Sequence, residues 1–163
     1  MIFHGTSLST PIGQICLAVD ERGAIAALAV EGTRSLASFL PPAAVITPHP
    51  TRSKAAVAEL RAYFAGELRA FTLPIAPATG TPFQRRIWQA LSRIPYGVTW
   101  SYARLAAETG SVARAAGQAN GANPLCIVVP CHRVIAADGT LGGYSGGLDR
   151  KRWLLRHEGA LLA

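Results

Sequence analysis

The chain has 163 residues, half of them apolar, enough for one compact domain or two small ones with a genuine core. No apolar run approaches the roughly 18 residues of a membrane span, and Met1-Ile2-Phe3-His4-Gly5 lacks the charged start and apolar run of a signal peptide. Net charge is +7: residues 1–80 hold six Lys/Arg against five Asp/Glu, residues 81–163 ten against four, so a basic half that suits a polyanion, most naturally nucleic acid, follows a near-neutral one. Three cysteines, an odd number without an export signal, predict reduced thiols in a cytoplasmic protein.

Residues 1–31 read as strands, with Gly13–Val19 and Ala24–Val30 joined by a turn at Asp20-Glu21-Arg22-Gly23. A short helix is expected over Ser35–Leu40, and residues 41–52, with four prolines, as a loop. Val57, Leu60, Tyr63 and Phe64 recur at helical spacing, predicting a helix over Lys54–Ala65 that Gly66 stops. His4 and His49 stand alone, and with Cys16 they make no metal-ligand spacing. Ala76–Gly80 reads as a linker between residues 1–75 and 81–163.

The second half is better marked. Thr81 is an N-cap, Pro82 suits the first helical position and Gln84 closes a capping box. Phe83, Ile87, Trp88 and Leu91 give that helix its apolar face, and Pro95-Tyr96-Gly97 breaks it. Ser101 then caps Tyr102–Thr109, and Ser111 caps Val112–Asn120. Two short helices meeting at Gly110-Ser111 resemble a helix-turn-helix. The second is built of small residues around Arg114.

Ile127-Val128-Val129 is expected as a buried strand that Pro130 ends, leaving Cys131 at the mouth of the core. Cys131 is followed by His132 and Arg133, an electropositive setting that lowers a thiol pKa. Cys16 and Cys126 lie in apolar runs and read as inert buried thiols. Asp138-Gly139 marks a turn, and Gly142–Gly147 a glycine-rich loop that permits close backbone approach. Asp149 caps a last helix, Arg150–Glu158. Its charges oppose the macrodipole: Arg150, Lys151 and Arg152 lead and Glu158 ends it, as expected if the bases meet phosphates and Glu158 serves a partner such as His132.

Together Thr81-Pro82-Phe83-Gln84, Ile94-Pro95-Tyr96-Gly97, Ser101-Tyr102, Ala113-Arg114-Ala115, Ala119–Pro124, Val129–Val134, Gly143–Gly147 and Trp153–Gly159 resemble the O6-alkylguanine-DNA alkyltransferases, methylated-DNA–protein-cysteine methyltransferases. The likeness is dense over residues 81–159. Over residues 1–75 it is thin, carried by Thr10–Gly13 and Tyr63–Leu68, which look similar to bacterial, Ogt-like members. It implies an α+β fold: a small α/β N-terminal domain of antiparallel strands plus a helix, then a mostly helical C-terminal domain with a helix-turn-helix.

It further implies direct-reversal DNA repair in the bacterial cytoplasm or nucleoid. A flipped base would lose its O6-alkyl group irreversibly, and once per molecule, to Cys131. O4-alkylthymine is a second candidate substrate. His132 would act as base and Glu158 as its orienter. Tyr102, Val134, Tyr144 and Ser145 would form the base pocket. Arg114, Ala115, Gly117, Tyr102 and Arg133 would meet DNA, Arg114 filling the gap left by the base, and Asn123 would be a structural hinge. The implied partner is double-stranded DNA containing O6-alkylguanine, met by a monomer, with cooperative assembly on DNA left open. Neither a cofactor nor a metal is expected, since the zinc-binding Cys/His set of some members is lacking. The segment between Gly110 and Arg114 is shorter than in familiar members, so either a tighter turn or a displaced Arg114 is expected. The alternative is a non-catalytic alkylated-DNA recognition protein, disfavoured by Cys131. A regulator using the helix-turn-helix alone would not need Cys131, His132 and Glu158 together, and a thiol redox protein would show Cys-x-x-Cys.

Overall fold

The structure, a computed structural model, describes residues 1–161. The chain divides into two compact units between Thr79 and Gly80. In the first, β1 (Ile2–Thr10), β2 (Gly13–Val19), β3 (Ile25–Val30) and β4 (Val45–Pro48) form one sheet in the order β3-β2-β1-β4. β1–β2 and β2–β3 pair antiparallel, while β4 adds in parallel with Ile2 beside Val45. The expected turn after β2 forms because Asp20 Oδ1 accepts from the N–H groups of Arg22 and Ala24, at 2.9 and 3.0 Å, and Gly23 takes φ +85°. Phe3, Ala18 and Ala27 pack with Phe39 and Leu40, brought in by a short 3-10 turn over Leu36–Phe39.

Residues 41–52 differ from the expected loop, for they hold β4 and the start of α1 (Pro50–Phe64). Two of the four prolines sit where a missing N–H is harmless: Pro48 ends an edge strand and Pro50 opens a helix. The cap is His49, whose Nδ1 accepts from Arg52 N at 3.2 Å. Leu60 and Tyr63 of α1 are fully buried, each worth about 1.5–3 kcal/mol. Residues expected in the linker belong to this unit: Ala76 N donates to Ile25 O and Thr79 Oγ1 to Phe39 O.

The second unit contains α2 (Pro82–Leu91), α3 (Tyr102–Thr109), α4 (Ala113–Gly121) and α5 (Leu148–His157), with a two-stranded parallel ribbon of β5 (Trp100–Ser101) and β6 (Val134–Ile135). The capping box of α2 forms as expected, Gln84 N to Thr81 Oγ1 at 3.1 Å and Thr81 N to Gln84 Oε1 at 2.9 Å. Trp88 Nε1 donates to Ala119 O at 2.9 Å, fastening α2 to α4. Ser101 Oγ caps α3 through Arg104 N at 3.0 Å. Ser111, however, does not cap α4: the cap position is Val112, with no side-chain cap bond. Gly110 at φ +64° makes the turn between the two helices.

The strand expected over Ile127–Val129 is absent. Leu125–Val129 is a tight turn, with Val129 N bonded to Leu125 O and Val128 N to Cys126 O, both at 2.9 Å. Ile127 sits at φ +78°, a conformation costing a β-branched residue about 1–3 kcal/mol. Its side chain is almost fully buried, which returns about 1.5–3 kcal/mol. Two bonds from Asn123 hold the turn, Leu125 N to Asn123 Oδ1 at 2.9 Å and Asn123 Nδ2 to Val129 O at 2.8 Å. The apolar pattern reported burial correctly, but pairing went to the side chain of Asn123 rather than to a neighbouring strand.

Candidate active site

Cys131 opens a 3-10 turn, Cys131–Arg133, that follows the Leu125–Val129 turn. It is buried, deeper than the core-mouth position expected of it, and it forms part of the wall of a cavity of about 220 Å³. The other walls are Tyr102 from α3, Gly117, Asn120 and Gly121 from α4, and Gly143, Tyr144 and Ser145 from the glycine-rich loop. Gly142 shows why that loop needs glycine: φ is +68°, and a Cβ there would stand 2.9 Å from the Tyr102 ring. Tyr102 Oη in turn donates to Gly143 O at 3.3 Å. A larger groove of about 590 Å³ beside Met1–Phe3 and Asp20–Arg22 in the first unit has no cysteine or histidine in its lining. Among the described residues no cluster of three His, Cys, Asp or Glu could hold a metal ion.

Beside Cys131 lies a buried charge network. His132 Nε2 is 2.8 Å from Glu158 Oε2. Arg133 donates from Nε to Glu158 Oε1 at 2.8 Å, from Nη2 to Oε2 at 3.0 Å and from Nη1 to Ile94 O at 2.6 Å. Burial alone would raise the Glu158 carboxyl, but the bonds from His132 and Arg133 outweigh it and hold the group at about 2. An ionised carboxylate only accepts, so Nε2 of His132 carries the ring proton and Nδ1 keeps its lone pair. Burial lowers the His132 pKa, favouring the neutral ring. Nδ1 is buried and has no hydrogen-bond partner among the described residues.

The geometry corrects two expectations. Arg133 is not a DNA contact, for it is buried and its guanidinium is spent on Glu158 and Ile94 O. Val134, expected to offer its backbone carbonyl to the base, is absent from the cavity's walls, and that carbonyl accepts Lys151 Nζ at 2.6 Å. Lys151 itself was expected at phosphates. It is buried, bonds Gly143 O at 3.0 Å as well, and burial lowers its pKa to about 8 against the opposing pull of a Cys131 thiolate. The spacing of Lys151 from Leu154 and Leu155 on one helix face could have signalled this. Asn120 was also missed; its Nδ2 donates to Cys131 O at 3.4 Å. So was Cys126, which is buried with its sulfur 3.9 Å from Asn123 O and 3.9 Å from Ser145 Oγ in the cavity wall. Arg114 and Val112 are exposed at the start of α4, and Ala115 is partly buried.

Comparison with known proteins matches this arrangement. Residues 82–160 match the model of the 6-O-methylguanine DNA methyltransferase DNA-binding domain, and residues 3–77 that of its ribonuclease-like domain. A methylated-DNA–protein-cysteine methyltransferase of Salmonella typhimurium is 58% identical over 106 residues, spanning 64% of this chain and 62% of the relative. One from Mycobacterium bovis is 44% identical over 160 residues, 96% of this chain and 93% of the relative. The crystal structure of Mycobacterium tuberculosis OGT in complex with DNA superposes with a TM-score of 0.84 at 42% identity, covering 96% of this chain and 93% of that one. The α+β fold, with its strand domain followed by a helical domain, is shared. This chain belongs to the 6-O-methylguanine DNA methyltransferase family.

Proposed function

We propose that this chain repairs DNA by direct reversal, taking the alkyl group from O6-alkylguanine in double-stranded DNA onto Cys131, irreversibly and once per molecule. The observation that carries this reading is a buried thiol in the wall of a small cavity, next to a histidine whose far nitrogen is bonded to an ionised glutamate. A base inside the helix stack presents no O6-alkyl carbon to such a thiol, so the base must be flipped into the cavity. His132 Nδ1 takes the Cys131 proton, directly or through one water, and Glu158 stabilises the resulting imidazolium. The Cys131 sulfur forms a bond to the alkyl carbon as the bond to O6 breaks in line. The guanine anion then takes a proton from the Tyr102 hydroxyl or the imidazolium. Ser145, on the exposed loop, supplies a second donor to the leaving base.

Arg114 is exposed at the start of α4, suited to occupy the space the base leaves. Ala115 and Gly117 let α4 approach a minor groove closely. Asn123 serves as the structural hinge joining the end of α4 to the turn before Cys131.

The test is intact mass and peptide fragmentation after mixing the protein with a duplex holding one O6-methylguanine. One added methyl on Cys131, with restored guanine, is expected, and Cys131→Ala should gain none while binding the duplex nearly as well. Tight binding without transfer would instead assign the protein to lesion recognition.

A further inference from the structure

Asn120 of α4 forms part of the wall of the Cys131 cavity and is 5% exposed. No step of the alkyl transfer uses it. Its helix is fixed at this level, since Trp88 Nε1 donates to the neighbouring Ala119 O. Asn120 Nδ2 donates to Cys131 O at 3.4 Å. A carbonyl only accepts, so the amide nitrogen must face it and Oδ1 is the end left over. That Oδ1 is buried and has no hydrogen-bond partner among the described residues. Nearby carbonyls are already spent. Cys131 O accepts from Val134 N as well, and Gly143 O accepts from both Tyr102 Oη and Lys151 Nζ, which fills the two lone pairs of each. Buried acceptors are otherwise paired, and one left open in a cavity wall marks where a ligand brings the donor.

We propose that Asn120 selects guanine: its Oδ1 accepts from the exocyclic N2 amine of the flipped base. The inference rests on the alkyl-transfer reading and deepens it. Alkylation at O6 leaves N1 without a proton, so the ring nitrogens of that edge accept and the amine is the donor it offers. An acceptor in the wall therefore pairs with the amine and with nothing else on that edge. O4-alkylthymine has no proton on N3 and presents the O2 acceptor there, which sets two acceptors against each other. O6-alkylhypoxanthine lacks the amine and leaves Oδ1 unpaired. A site built to pair a donor rejects the analogue without it, because its own buried group then goes unsatisfied. The same amide is bonded to the backbone of Cys131, so the base is read at a fixed distance from the attacking residue, as an in-line displacement needs.

The experiment is single-turnover methyl transfer from duplexes holding O6-methylguanine or O6-methylhypoxanthine at the same position, by wild type, Asn120→Ala and Asn120→Asp. Ala suits a helix interior, and Asp keeps an acceptor in place. Each protein is read by the ratio of its two rates, in which a general loss of folding or of nucleophile cancels. Wild type should favour guanine about tenfold or more. Asn120→Ala should bring the ratio to within about twofold by slowing transfer from guanine, and Asn120→Asp should keep most of the preference. Equal wild-type rates, which need no variant to measure, would overturn the inference and leave alkyl transfer standing. So would an undiminished preference in Asn120→Ala, or a ratio in Asn120→Asp as low as that of Asn120→Ala. Absence of transfer from either base by wild type would overturn the alkyl-transfer reading itself.

Discussion

Replacing Glu158 by Gln tests the buried network most directly. The carboxyl is held at about 2 against an ordinary value of 4.5, a depression worth about 3 kcal/mol of folding stability. The folded value lies below the unfolded one, so this stability is fully present above about pH 4.5 and is lost as pH falls toward 2. The neutral amide of Glu158→Gln would leave the buried Arg133 guanidinium without its counter-charge, a loss of about 3–5 kcal/mol. Denaturant unfolding of both proteins should show that gap at neutral pH, narrowing steadily below pH 4.5. Transfer should slow further, by about 10²-fold or more, because the imidazolium of His132 loses its carboxylate. Equal stability at neutral pH, or a gap constant down to about pH 2.5, would refute the reasoning that the Glu158 charge holds the network.

Arg133→Met should cost about 3–5 kcal/mol of stability by leaving the buried Glu158 carboxylate without its guanidinium counter-charge, while the salt dependence of DNA binding stays as in wild type; a salt slope shallower by about one would mean that Arg133 meets a phosphate after all. Arg114→Ala should weaken transfer from duplex DNA far more than transfer from the free alkylated base, and equal losses in both assays would exclude a base-replacing role. Lys151→Met removes the donor to Val134 O and Gly143 O and should slow transfer by loosening the glycine-rich loop. Because burial lowers Lys151 to about 8 from 10.5, keeping it charged costs stability below pH 8, and that cost fades toward pH 10.5. The stability of wild type relative to Lys151→Met should therefore rise over this window in thermal unfolding, and a flat difference would show that the lysine is not strained by burial.

Much of the fold was legible because the signals are local. Asp20 with Gly23, Thr81 with Gln84, and Ser101 each satisfy backbone donors within a few residues, so type and spacing suffice to place a turn or a helix start. The candidate set Cys131, His132 and Glu158 came from a resemblance carried by local motifs, and the fold brings His132 within 2.8 Å of Glu158 across 26 residues of sequence. Apolar content around residues 125–129 correctly announced burial. It could not distinguish a strand from a turn, since both bury β-branched side chains and only the backbone partner differs.

The tertiary structure alone decided what each charge is for. Arg133 and Lys151 look like DNA-facing bases in a basic half of the chain, yet both are buried, one on Glu158 and the other on two carbonyls. Cys126 looked isolated because nothing polar adjoins it in sequence; the fold sets its sulfur 3.9 Å from Ser145 Oγ of the glycine-rich loop. Amino-acid order by itself determined most of the helices and turns and the two-part division of character, because helix caps, turns and apolar periodicity act over a few residues. Whether a cation meets solvent, phosphate or a buried carboxylate depends on which distant segment folds over it, and only long-range packing settles that.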